Sequence, residues 1–294
     1  GRGGGVVPDG DDGPARGAAV GLTAWAAARA AGRAEGRSTP LIAAAVVLAG
    51  APAFWHLATL SEMYALNALF GALLLALAAC EGPRPVLTGA FVLGLAAGNH
   101  QTVLALAPGL AWAAAPRLTR RHWAWAAGFF FLGASVFLHL PLRAWSDPWL
   151  NWGDPDTPAR LWRVLTRGDY GGVRLHPDRP MGLADPALWL PGAAFAARVF
   201  VDQLSVVGAA LAVWGVWAAR RGPLGRVLLP GFFLAGPLFG VWANLEPGRP
   251  ETAGILEPHL VLPLVCASAL AGRGAADLAR RWRPGFAAAA LAAL

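Results

Sequence analysis

The chain has 294 residues, of which 56% are hydrophobic and 14% charged, and its mean hydropathy is +0.48. A soluble domain of this length carries about a quarter charged residues, so the composition excludes a single water-soluble core in favour of an integral membrane protein. The net charge is +7 and every one of the 24 basic residues is arginine. These arginines stand in loops between apolar runs, as in the inward-facing loops of membrane proteins and unlike a nucleic-acid-binding face.

Both ends read as cut. The chain opens at Gly1 in the loop-like GRGGGVVPDGDDGPARG and stops in FAAAALAAL, partway through an apolar run. This is the pattern of a fragment of a larger membrane protein, without a signal peptide. In chain order, apolar segments fall at 17–31, 40–60, 63–80, 86–98, 101–115, 122–142, 203–219, 226–243, 259–272 and 285 to the end. The expected fold is therefore all-α: a polytopic bundle of about ten transmembrane segments with one long outer loop. Its parts are a loop remnant at 1–16, helices over 17–142, an outer loop with interfacial helices over 143–202, and helices over 203–294. The runs at 86–98 and 101–115 are joined only by Asn99, His100 and Gln101. They predict either two short helices or one long helix broken inside the protein.

Placing 1–16 outside gives the inner loops 14 arginines against three acids, and the outer loops nine arginines against 13 acids. That bias sets the orientation. The long outer segment is rich in turn signals, DP at 147–148, GDPDTP at 153–158 and YGG at 170–172. Within it, PARLWRVLTRGDY predicts a short helix on the membrane surface, and PGAAFAARVFVDQL a second interfacial helix.

Four polar clusters fall on the outer side: SEMYALN (61–67), GNHQ (98–101), PLRA through NWGDP (141–155), and NLEPGRPETAGILEPH (244–259). Five of the six histidines, His56, His100, His139, His176 and His259, lie at or near the same side. Polar groups close to a membrane are costly unless they pair, solvate or function, so a site at the outer interface is expected. Each cluster also has a structural reading. Glu62 can serve the helix dipole of the following segment, Asn99 and His100 can satisfy backbone at a tight turn, and Arg143 can snorkel. NWGDP can be a turn closed by Asp154, and His259 alone reads more readily as a structural hydrogen-bonder. Cys80 and Cys266 have no neighbours at metal spacing and the histidines form no paired motif, so no metal site or cofactor is indicated.

SEMYALNALF, GLAAGNHQTVLAL and LHLPLRAWSDPWLNWGDPDTPARLWRVLTRGDYGG resemble the bacterial relatives of eukaryotic transmembrane protein 260, a protein O-mannosyltransferase-like family. The resemblance runs over about 15–272, with PLRA…NWGDP…Y its most specific block. It implies a GT-C glycosyltransferase fold in the cell membrane, that of a bacterial inner membrane, with its motifs on the extracytoplasmic face. Implied partners are membrane lipids, a polyprenyl-phosphate-linked sugar (mannose in the namesake) as donor, and a protein or glycan hydroxyl as acceptor, with no nucleic acid. Such enzymes carry their key acid in the first outer loop. Asp9, Asp11 and Asp12 do not match that motif, and the catalytic carboxylate is expected upstream of Gly1.

The substrate-binding candidates are Glu62, Tyr64, Asn67, Asn99, His100, Arg143, Asn151, Trp152, Asp154 and Tyr170. Arg143 is the candidate for the phosphate contact, since a guanidinium forks onto phosphate oxygens. Trp145, Trp149 and Trp152 would stack on sugar or anchor the loop at the interface. The alternatives are a transporter or flippase of lipid-linked or anionic cargo, for which paired broken helices would be expected, and a scaffold subunit.

Overall fold

A computed structural model describes residues 13–31, 38–60, 62–170, 189–243 and 250–281. Several expectations lie outside the described residues: residues 1–12 of the loop remnant read at 1–16 (13–16 belong to the first helix), Ser61, the outer-loop stretch 171–188 with His176, the polar residues 244–249, and the final apolar run. All regular elements among the described residues are helical.

The chain opens with α1 (Gly13–Ala31), α2 (Ser38–Gly50), α3 (Pro52–Thr59) and α4 (Tyr64–Ala78). Next come α5 (Pro83–Asn99), a 3-10 stretch over Gln101–Leu106, and α6 (Ala107–Ala114). α7 (Arg120–Ala134) runs through a 3-10 turn into α8 (His139–Ala144), and α9 (Pro158–Leu165) is the short helix expected within PARLWRVLTRGDY. α10 (Trp189–Ala219), α11 (Pro223–Ala235), α12 (Pro237–Ala243), α13 (Pro250–Leu256) and α14 (Val261–Arg281) complete the fold.

Among the described residues, four helical stretches are long and apolar enough to cross a membrane: Arg120–Ala144, Trp189–Ala219, Pro223–Ala243 and Gly254–Arg281. Thr39–Gly50 and Tyr64–Ala78 are apolar but shorter. The ten segments read from hydropathy are thus not all single helices of spanning length. The run 40–60 divides at Ala51, which is extended before Pro52, as the residue before a proline prefers. The Ala53 N–H freed at this new helix start donates to Gln203 Oε1 at 2.7 Å. The stretch 191–204, read as a separate interfacial helix, is helical and runs with no intervening loop into the next segment, from which a kink separates it. A single residue, Ser205, interrupts α10 with φ 60. Large apolar side chains stand exposed on the long helices, among them Phe131, Leu132, Leu142, Val206 and Val213. Lipid accepts such a surface and water does not, which points to a membrane protein.

α14 is the hub. Its residues from Val261 to Asp277 are buried throughout, and α1, α2, α4, α10 and α11 all pack on it. The tightest contact is with α10, where a side chain at Gly215 would strike the Leu270 carbonyl and one at Gly274 the Leu211 carbonyl. α5 and α7 meet the same way, Gly94 against the Phe130 carbonyl and Gly133 against that of Phe91. Small residues that let backbones touch are how helices associate where lipid removes the hydrophobic drive.

Successive apolar segments lead from one end of the bundle to the other, so its ends differ. At one, α4 stops under two arginines: Arg117 donates to the carbonyls of Ala78 (3.2 Å) and Cys80 (2.8 Å), and Arg29 to that of Ala79 (3.0 Å). Cations there satisfy orphan carbonyls and oppose the negative helix terminus. At the other end lie the starts of α4 and α14 and the junction after α5.

Replacing Gly274 with alanine is expected to destabilise the protein in detergent by about 1–3 kcal/mol through overpacking. Gly17→Ala, where nothing lies within 4 Å, should leave the thermal midpoint unchanged or slightly raised. Equal effects of the two substitutions would remove the α10–α14 contact from its central place.

Candidate functional site

The end of the bundle opposite the arginine caps gathers polar residues from three remote stretches. α5 ends at Asn99 and His100 turns extended, at φ −155 and ψ 118, so that it heads the next 3-10 stretch. This settles the two readings of 86–115: the chain turns back at the polar triplet. The His100 ring then lies 5.8 Å from that of Tyr64, on the first turn of α4, and 5.9 Å from that of His259, in the turn leading into α14. Phe239 of α12 packs on the far side of His259 at 4.5 Å. Thr102 Oγ1 lies 2.6 Å from His100 Nδ1 and accepts from Asn67 Nδ2 at 3.4 Å. Beside this group, His56 Nδ1 and Glu257 Oε1 pair at 3.0 Å and tie α3 to the turn before α14.

The Thr102 N–H also donates to His100 Nδ1. An accepting Nδ1 places the ring proton on Nε2 of a neutral imidazole. Burial, and then the charge of Arg167, push the His100 pKa down from its ordinary 6.5. Two polar atoms in the cluster, Asn67 Oδ1 and His259 Nδ1, are buried with no hydrogen-bond partner among the described residues. Such orphans are rare in folded proteins. Both residues adjoin the His100–Thr102 pair, with the charge of Arg167 close by, and the arrangement suits a polar or anionic guest.

The structure brings Tyr64, Asn67 and His100 together and places Asn99 beside them as a brace, its Nδ2 donating to the Met63 carbonyl at 3.1 Å. Glu62 is exposed at the same end. Asn151 and Asp154 are engaged with their own loop. Asn151 Nδ2 donates to Asp154 Oδ1 at 2.8 Å, and Arg160 bridges Asp154 (2.5 Å) and Asp156 (2.8 Å). Trp145 closes the same loop by donating to the Asp156 carbonyl at 2.9 Å. Asp154 holds a left-handed φ of 41, a conformation aspartate tolerates better than most residues. Gln101 Nε2, donating to the Leu165 carbonyl at 2.7 Å, fastens α9 over the cluster.

Trp152 is exposed and lines a recess of about 130 Å³ together with Arg163, Val164, Arg167 and Asp169. Arg143, at the end of α8, is exposed and outside the described contacts of the cluster. Tyr170 ends the 3-10 turn Gly168–Tyr170. Two participants carried no sequence signal of their own: Thr102 follows a motif, and Arg167 is one of several loop arginines. His259 ends one of the polar clusters read from the sequence, but it stands far from His100 along the chain. The shared outer side of the two histidines was the only available clue.

Residues 37–123 match the family model described as the protein O-mannosyl-transferase TMEM260 N-terminal domain. The match covers less than half of the chain, from just before α2 into the start of α7, and includes Glu62, Tyr64, Asn67, Asn99 and His100. It ends before Arg143 and the NWGDP loop. At family level this part of the chain is therefore similar to a glycosyltransferase domain. No curated protein and no solved structure matches the chain.

Because His100 is held neutral, acid protonates the unfolded chain first. Its contribution to stability is present above its ordinary pKa and is lost as pH falls toward the lowered folded value. The thermal midpoint should therefore drop more steeply between about pH 7 and pH 5 in the wild type than in His100→Asn, whose amide oxygen keeps an acceptor near Nδ1. Parallel slopes would show that His100 is not the group responsible. In the loop, Asp154→Ala should speed proteolytic cleavage within 145–160 by several-fold while helix content stays unchanged; undiminished protease resistance would argue against Asp154 as the loop's clasp.

Proposed function

We propose that the chain is a membrane glycosyltransferase of protein O-mannosyltransferase-like type, which moves a sugar from a polyprenyl-phosphate-linked donor to a protein or glycan hydroxyl. The reaction is assigned to the bundle end that carries Tyr64, Asn67, His100 and His259, on the extracytoplasmic face of a GT-C-like helical bundle. The carrying observation is the pair of buried, unpartnered atoms Asn67 Oδ1 and His259 Nδ1, lying beside the region similar to the glycosyltransferase family. The loop-arginine bias read from the sequence supports the sidedness.

In this reading Asn67, His100 and His259 hydrogen-bond the sugar hydroxyls, and Arg143 and Arg167 steady the departing phosphate. The exposed Trp149 and Trp152 offer ring faces to sugar or an anchor at the headgroup level. Transfer breaks the bond between the anomeric carbon and the phosphate oxygen as the acceptor oxygen attacks, and a carboxylate must take the acceptor's proton. Glu62 and Glu257 stand at the same end; their place in this scheme is to shape the pocket.

One feature favours a second reading, a transporter or flippase of lipid-linked cargo: α10 is interrupted at Ser205, and broken helices are a transporter trait. Vesicles containing the protein, a polyprenyl-phosphate carrying radiolabelled mannose and an acceptor peptide separate the two. Transfer predicts label on the acceptor, reduced on the order of 100-fold by Arg143→Ala or His259→Leu with the thermal midpoint retained. Unchanged turnover in Arg143→Ala removes that residue from the phosphate site. Intact labelled lipid appearing in the opposite leaflet, with no labelled acceptor, selects the transporter.

A further inference from the structure

The opposite end of the bundle holds a second site with a different chemistry. A cavity of about 790 Å³ opens there, within the range of small-ligand pockets, and four arginines from four separate stretches line it: Arg29 on α1, Arg117 after α6, Arg221 between α10 and α11, and Arg273 on α14. Glu81 is the one carboxylate among its described lining residues. The N-terminus of α11 forms another wall through Gly222, Pro223, Leu224 and Gly225, and no side chain caps it. Its first N–H groups and positive dipole end add to the field of the guanidiniums. Arginines scattered over inner loops would satisfy the positive-inside pattern by number alone. Convergence on one cavity, with the side chain of Arg273 reduced to 9% exposure, is a stronger condition than that pattern requires.

Part of the cavity lining is apolar: Trp25 and Leu41 border it and remain partly exposed, where hydrocarbon would cover them. Arg117 also borders a second cavity of about 380 Å³, walled by apolar residues such as Leu77, Val86, Leu110 and Phe130. A cationic cavity that shares Arg117 with an apolar groove fits a molecule with a phosphate head and a hydrocarbon tail. We propose that this end of the bundle binds a phosphate-bearing anion, supplied by the headgroup of an anionic phospholipid whose chain lies along the Trp25–Leu41 wall or in the neighbouring groove. The assignment does not depend on the transferase reading, since it uses none of the residues of the histidine cluster.

The test is native mass spectrometry of the intact protein released from nanodiscs containing equal phosphatidylglycerol and phosphatidylcholine, with inorganic pyrophosphate as a soluble competitor. The wild type should retain phosphatidylglycerol in preference to phosphatidylcholine. The double variant Arg221→Gln/Arg273→Gln should lose that preference on the order of tenfold. Arg84→Gln, at the same end but outside the cavity lining, should keep it. The exposed single variant Arg221→Gln serves if the double variant does not fold, with a smaller loss in the same direction. Binding of pyrophosphate by wild type but not by the arginine variants, without lipid retention, would overturn the lipid assignment and give the cavity to a soluble phosphate ligand. Retention of phosphatidylglycerol by the cavity variants equal to that of wild type, or no preference for it in wild type, overturns the proposal.

Discussion

The backbone-to-backbone meeting of α10 and α14 is the contact on which the rest of the molecule depends. Gly215 and Gly274 leave no side chain between the two helices, so α14 can sink into the middle of the bundle with α1, α2, α4, α10 and α11 around it. In a lipid environment this closeness is the source of affinity between helices, because burying apolar side chains gains little when the solvent is itself apolar. α14 then serves both ends at once. The turn before it carries His259 into the polar cluster, and its last turns carry Arg273 into the arginine-lined cavity.

α4 is the second element shared by the two ends. Tyr64 and Asn67 stand on its first turn, and its final carbonyls are covered by Arg29 and Arg117. Fifteen residues of α-helix span about 22 Å at 1.5 Å per residue, so the polar cluster and the arginine cavity are separate places joined by a rigid rod. Among the described residues, the two ends differ in chemistry: a histidine pair with buried polar atoms lies at one and concentrated positive charge at the other.

Much of this was legible in the sequence because its causes are local. The apolar runs, the inner arginines and the turn chemistry of GDPDTP each depend on residues a few positions apart. Asp154 closing its own loop is the structural reading of NWGDP, reinforced by an arginine six residues on. The break at Ala51–Pro52 was also written in the chain, in a proline that hydropathy averaging ignores. Long-range facts were not legible. Nothing near His259 reveals that it meets His100, and nothing near Gln203 reveals that it caps α3. The kink at Ser205 falls where 191–204 was expected to end, but nothing in the sequence shows that the two stretches meet there with no intervening loop.

The central claim, that the polar end of the bundle receives a lipid-phosphate-linked sugar, is tested most directly by photo-crosslinking. A polyprenyl-phosphate-mannose analogue carrying a photoreactive group near its phosphate would be irradiated with the protein in nanodiscs and the modified peptides sequenced. Labelling is predicted on the peptides containing Tyr64 and Asn67, His100 to Thr102, and Glu257 to Leu260, and it should fall when unlabelled donor is added. Labelling confined to the peptides of Arg29, Arg221 and Arg273, or spread evenly and unaffected by competitor, would contradict the claim.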